Sequence, residues 1–168
     1  LPIGLLCGCL GAALLISSCW LHNVRKTISA PLLNGPSPWF PSLLFPTLAG
    51  IGHGLLAVAC PNSVGSGMEL VENLWQGVLV LSQKELAWII LAKLFGLIVS
   101  IGFGLVGGSV IPMGSLGVCL GLWLHHFEVT HVLDETTITA VCMVGCAVSS
   151  APLPISGVVV VLVMTGNG

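Results

Sequence analysis

The sequence predicts an all-α membrane protein built from broken and tilted transmembrane helices. Three observations predict it. Of 168 residues, 55% are hydrophobic and only 6% charged, where a soluble domain carries about 25% charged residues. The charges sit in four places: Arg25-Lys26; Glu69 and Glu72; Lys84, Glu85 and Lys93; and Glu128, Asp134 and Glu135. Between them lie apolar runs long enough to cross a bilayer, which takes about 20 helical residues. Two of those runs, 94–127 and 136–168, lack Lys, Arg, Asp and Glu yet contain glycine or proline breaks. A net charge of −2 offers no basis for a nucleic-acid partner.

Taken in order, Leu1–Leu21 reads as the first membrane helix. It has no charged leader region or small-residue cleavage site, so it does not read as a signal peptide. Both ends of the chain read as cut from a longer protein. Gly4, Gly8 and Gly11 place small residues where a partner backbone can approach closely. His22, Arg25 and Lys26 follow, and the positive-inside rule puts them in a cytoplasmic loop. Thr27–Phe40, with Pro31, Asn34, Gly35, Pro36 and Pro38, reads as loop.

Pro41–Ala59 is the second apolar segment, starting either at Pro41 or after Pro46. Its His53, among Gly50, Gly52 and Gly54, reads as a neutral imidazole hydrogen-bonding between helices. Cys60–Gly67 is a polar turn, and Met68–Leu79 a short amphipathic helix that cannot span. Glu85–Ile101 is a long helix with Lys93 well inside it. That lysine can snorkel, face an aqueous vestibule, or meet a carboxylate.

Gly102, Gly104, Gly107 and Gly108 break the helical pattern, and Met113–Phe127 resumes it after Pro112. Glu128–Glu135 is a polar loop flanked by His125, His126 and His131. Pro152 and Pro154 then divide Thr136–Ala151 from Ile155–Met164. The valine-rich second half reads as a half-length helix, because an unpaired strand is excluded from lipid.

The segment Gly107-Gly108-Ser109-Val110-Ile111-Pro112 carries the functional expectation. Irregular backbone inside an apolar layer must be buried in protein or line a cavity. A helix N-terminus carries positive partial charge and free N–H groups, so it binds an anion without a formal cation. Oriented amides can also release the ion, as conduction requires. Glycines admit a close approach, Pro112 suits a first helical turn, and Ser109 can add a hydroxyl.

Lys93 through Gly121 resembles the lysine-bearing helix and G-x-F-x-P filter of the CLC chloride channels and proton–chloride antiporters. Gly107, Gly108, Ser109, Val110, Ile111 and Pro112 fall in register, with Val110 in the place of the usual Phe. Gly65-Ser66-Gly67-Met68-Glu69-Leu70-Val71 is similar to the family's start of a short helix, and Val144–Asn167 to its late motif. In that motif Val163 and Pro152 replace a common acidic and a common basic residue.

The resemblance implies that residues 1–168 are one partial transmembrane domain. It would be the second inverted repeat of a CLC-type fold, incomplete because the first repeat and last helices lie elsewhere. It implies a homodimer meeting through helices 1–21 and 154–165. Chloride would be the transported ion, held by the amides of Ser109 and Val110 with Ile111 adjacent, and no cofactor would be needed. The gating and proton-transfer glutamates and the anion-binding Tyr would belong to the absent parts, and this chain has no Tyr.

Two other function classes make different predictions. Another inverted-repeat transporter would be indifferent to chloride. A membrane-embedded enzyme would hold a metal at His53 or at His125, His126 and His131. No acidic or Cys ligand accompanies those histidines at a convincing spacing, so no metal site is assigned. The seven cysteines lie in or beside apolar runs and read as small apolar residues.

Overall fold

The computed structural model describes residues 2–33, 39–105, 107–126, 134–150 and 159. These form six α-helices: α1 (Pro2–Leu33), α2 (Trp39–Ala59), α3 (Met68–Trp75), α4 (Gln83–Gly102), α5 (Val110–His125) and α6 (Glu135–Ser150), with a 3-10 turn at Pro61–Ser63. Segments 2–30 and 83–102 are long and apolar enough to cross a membrane. By contrast α5 and α6, 16 residues each, measure only about 24 Å, short of a hydrocarbon core of about 30 Å. Of the expected half-length helix at 155–164 only Val159 is among the described residues, and it is helical; the loop around His131 lies outside them.

The long α1 corrects the sequence reading. The expected loop from Thr27 is helical as far as Leu33, so Arg25 and Lys26 lie within α1. The hydroxyls of Thr27 and Ser29 bond back to the carbonyls of Asn23 and Lys26, and Pro31, which has no N–H to donate, falls in the last turn, where little helix remains beyond it. Likewise α2 begins at Trp39 and carries Pro46 inside it, which forgoes one helical hydrogen bond.

The other helix limits follow from local chemistry. At the start of α4, Ser82 and Glu85 form a reciprocal cap: the Ser82 N–H donates to the Glu85 carboxylate at 2.8 Å, and the Glu85 N–H to the Ser82 hydroxyl at 3.4 Å. At the end of α3, Gly77 adopts φ 68°, its N–H bonds the Leu74 carbonyl, and the Val78 N–H bonds that of Asn73. This glycine closure stops α3 at Trp75, short of the expected Leu79.

Helix α5 is the centre of the packing. Met113 through Gly121 are all buried, which explains a sequence apolar on every side. A Cβ at Gly117 or Gly121 would meet the backbone of Cys142 or Thr139, so these glycines set how closely α5 crosses α6. Against this pair pack α1 and α4, with Leu14, Leu86, Ile89, Leu116 and Ile138 in one shared core. Gly11 of α1 lies against Ser149 of α6, while the space beside Gly4 and Gly8 is open.

Candidate functional site

The break between α4 and α5 is built by one of the four glycines that the sequence reading named there. Gly104 takes φ 76°. Its N–H bonds the Ile101 carbonyl at 3.0 Å, and the Leu105 N–H bonds that of Ser100 at 2.9 Å. This closes α4 as Gly77 closes α3. The signal was present in Gly-x-Gly-Leu, a glycine followed by an apolar residue at a helix end. Arg25 of α1 then bonds the freed carbonyl of Phe103, placing a cation at a helix C-terminus where the dipole favours it.

After that closure Gly107 and Gly108 are exposed and belong to no regular element. Neither has positive φ, and a Cβ on either would meet nothing within 4 Å. Neither a turn nor packing inside the described chain therefore calls for glycine. What the missing side chains leave is open access to the loop backbone.

Helix α5 then starts three residues before the expected Met113, with Ser109 as N-cap and Pro112 in the first turn. The Ser109 side chain makes no capping bond. The first backbone bond into the helix is from the Met113 N–H to the Ser109 carbonyl at 2.9 Å. Pro112 has no N–H, so the amides of Ser109, Val110 and Ile111 are left without acceptors among the described residues. Unsatisfied donors of this kind attract an anion.

These elements surround a cavity of about 310 Å³. Gly107, Gly108, Ser109 and Pro112 line it, whereas the side chains of Val110 and Ile111 do not. Ile111 is 51% exposed and points away. Opposite the loop, Ser63, Val64 and Gly65 contribute from the turn before α3, and Lys93 and Ser100 from α4. His53 of α2 completes the wall. Among the described residues the lining holds one Lys, one His and no Asp or Glu, so its fixed charge has one sign.

His53 is the interhelical group that the sequence suggested. Its Nδ1 donates to the Ala49 carbonyl at 2.9 Å, and its Nε2 is hydrogen-bonded to Ser100 Oγ at 3.0 Å. Gly96, one turn before Ser100, lies beside the ring: a Cβ there would make an ordinary contact with Nε2 at 3.4 Å. Ser115 ties the loop to the turn opposite, its hydroxyl lying 2.9 Å from the Pro112 carbonyl and 3.2 Å from that of Ser66.

Among the described residues the histidines at the other end of α5 do not assemble a site, and His131 lies outside them. His125 faces Glu135 at 3.8 Å, and His126 Nδ1 bonds the Leu122 carbonyl of its own helix. Among the described residues no group of three or more His, Cys, Asp or Glu could hold a metal. Cys7, Cys142 and Cys146 are buried where α1 meets α6 and are free thiols, as the apolar reading expected.

Helices that stop inside an apolar layer, with free amides facing a cavity, are the architecture of membrane transport proteins. The chain matches the voltage gated chloride channel family over residues 1–168 and belongs to it. It is thus part of an integral membrane protein. It is 31% identical over 133 residues to the H(+)/Cl(-) exchange transporter ClcA of Yersinia pestis bv. Antiqua (strain Angola), covering 77% of this chain. The same figures hold for ClcA of Yersinia pseudotuberculosis serotype O:3 (strain YPIII). The chain spans 27% of the length of these relatives. No solved structure matches it at a significant level.

Proposed function

We propose that these residues form one wall of a transmembrane chloride pathway, passive or proton-coupled. In this reading the amides of Ser109, Val110 and Ile111 hold the dehydrated anion, and Gly107 and Gly108 leave its approach clear. The observation that carries it is the conjunction at the break: orphan amides, a glycine pair that neither turn nor packing requires, and a cavity without a carboxylate. The curated relatives exchange chloride for protons by name, which supports the same ion. Chloride is cargo here, and the reading calls for no cofactor.

The opposite wall of the pathway comes from the part of the longer protein outside these residues, as the 27% coverage of the relatives suggests. Residues 1–168 then form most of the second inverted repeat. The reading includes a homodimer formed through helices 1–21 and 154–165. Gly4 and Gly8 present an open small-residue face for it, whereas Gly11 is already occupied by Ser149.

Ion-substitution flux tests the proposal. The full-length protein in proteoliposomes should move chloride and lose transport when gluconate replaces it. Transport indifferent to chloride would overturn the reading in favour of another cargo.

A further inference from the structure

Lys93 sits in a place that packing alone does not justify. It is 4% exposed, and its Nζ is closed off from water with no hydrogen-bond partner among the described residues. No ion pair involving it occurs among the described residues. The acidic residues nearest in sequence on α3, Glu69 and Glu72, are exposed. Of the three sequence readings, snorkelling is excluded by burial, and no carboxylate meets it among the described residues.

What surrounds the ammonium adds to its charge. A Cβ built on Gly67 would lie 2.7 Å from Lys93 Nζ and 2.6 Å from Ser115 Cβ, so Gly67, Lys93 and Ser115 meet at one point. Gly67 is the N-cap of α3. Ser115 is in hydrogen-bonding contact with the Pro112 carbonyl in the first turn of α5. The ammonium therefore lies where the N-terminal ends of two helices approach, and each end contributes positive partial charge. Cys60 and Cys119 are its other titratable neighbours, and both are buried free thiols. A buried ion without compensation is strongly unfavourable, so an ionised Lys93 calls for a countercharge from outside the described chain.

Lys93 also lines the cavity that holds Gly107, Gly108 and Ser109. We infer that a small monovalent anion in this cavity is the counter-ion of Lys93, and that Lys93 sets the anion's affinity through space. It is a positioning residue, since its enclosed Nζ is not free to ligate. The inference rests on the anion reading above and deepens it. Two unit charges about 8 Å apart at an effective dielectric of about 20 interact by about 2 kcal/mol, so on that scale removing the Lys93 charge weakens anion binding roughly thirtyfold.

The test follows thermal unfolding of the purified full-length protein while chloride replaces gluconate at constant ionic strength. The wild type should be stabilised by chloride, as any ligand of the native state stabilises it. Lys93→Met should be at least as stable as the wild type without chloride, and should need roughly thirtyfold more chloride for the same rise. Lys93→Arg should restore the wild-type midpoint, which a purely structural role would not predict. Lys93→Gln gives the same expectation as Lys93→Met if the latter does not fold.

A wild-type chloride response left unchanged by Lys93→Met or Lys93→Gln would overturn this inference alone. So would destabilisation of the neutral variants in gluconate, which would identify a carboxylate partner elsewhere in the longer protein. A wild type whose stability ignores chloride would overturn the anion reading as well.

Discussion

Replacing Gly108 and Gly117 separately by alanine separates a glycine kept for access from one kept for packing. At Gly108 a new Cβ meets nothing within 4 Å, and its φ is not positive. Alanine fits that backbone, and by restricting the unfolded chain it should stabilise by about 0.4–1 kcal/mol. At Gly117 the Cβ would lie 2.7 Å from the Cys142 carbonyl carbon and the Met143 Cα. Carbon atoms rest at about 3.5–4.0 Å, and backbone cannot rotate aside, so α5 and α6 must part by about 1 Å. Overpacking of this kind costs about 1–3 kcal/mol.

Function should move the other way. A methyl group at Gly108 stands in the approach to the loop amides. Losing one hydrogen bond to a charged acceptor costs about 1.5–3 kcal/mol, which is roughly a ten- to hundredfold loss of anion affinity. The assay is chloride efflux from proteoliposomes of the full-length protein, beside thermal unfolding of the same preparations. Gly108→Ala should unfold no earlier than wild type and transport poorly; Gly117→Ala should unfold early. A Gly108→Ala protein destabilised as much as Gly117→Ala would mean that Gly108 faces protein, and unchanged efflux would mean that it faces no ion.

Two further substitutions test the frame around the loop. Gly104→Ala forces a left-handed backbone on alanine, at about 1–2 kcal/mol, and also drives its Cβ into the Arg25 guanidinium; chemical unfolding should register the loss, with Arg25→Met losing less. Ser100→Ala and His53→Phe each remove the contact between α2 and α4. Their double-mutant cycle should show a coupling of about 0.6 kcal/mol and no more than about 1.7; full additivity would remove the bond from the account.

The sequence was most legible where chemistry is local. Charge-free stretches marked the helices, and the polar turn before Met68, the break before Met113 and the bonding role of His53 all appear as expected. The capping signature Ser82-x-x-Glu85 was available but passed over, which is why α4 begins at Gln83 rather than Glu85. The ends of α3 and α4 were harder, because a glycine in an apolar run does not say whether it packs or turns. Gly77 and Gly104 turn, Gly117 and Gly121 pack, and Gly107 and Gly108 do neither; only three-dimensional neighbours separate them.

Of the expected filter residues, Gly107, Gly108, Ser109 and Pro112 face the cavity through their positions in the loop. Val110 and Ile111 offer amides but not side chains. A substitution in the family motif, Val110 for Phe, therefore leaves the described amide geometry in place. The convergence of Lys93, Gly67 and Ser115 could not be read from the chain, because it depends on segments far apart in sequence lying together (49 residues between Ser66 and Ser115).

The central claim, that the amides opening α5 hold the transported anion, is tested most directly by locating the ion. Bromide can replace chloride in crystals of the full-length protein, and its anomalous scattering marks its position. The account predicts a bromide within hydrogen-bonding reach of the amides of Ser109, Val110 and Ile111, in the cavity shared with Lys93. Bromide bound elsewhere in the membrane domain, with none at these amides, would contradict it.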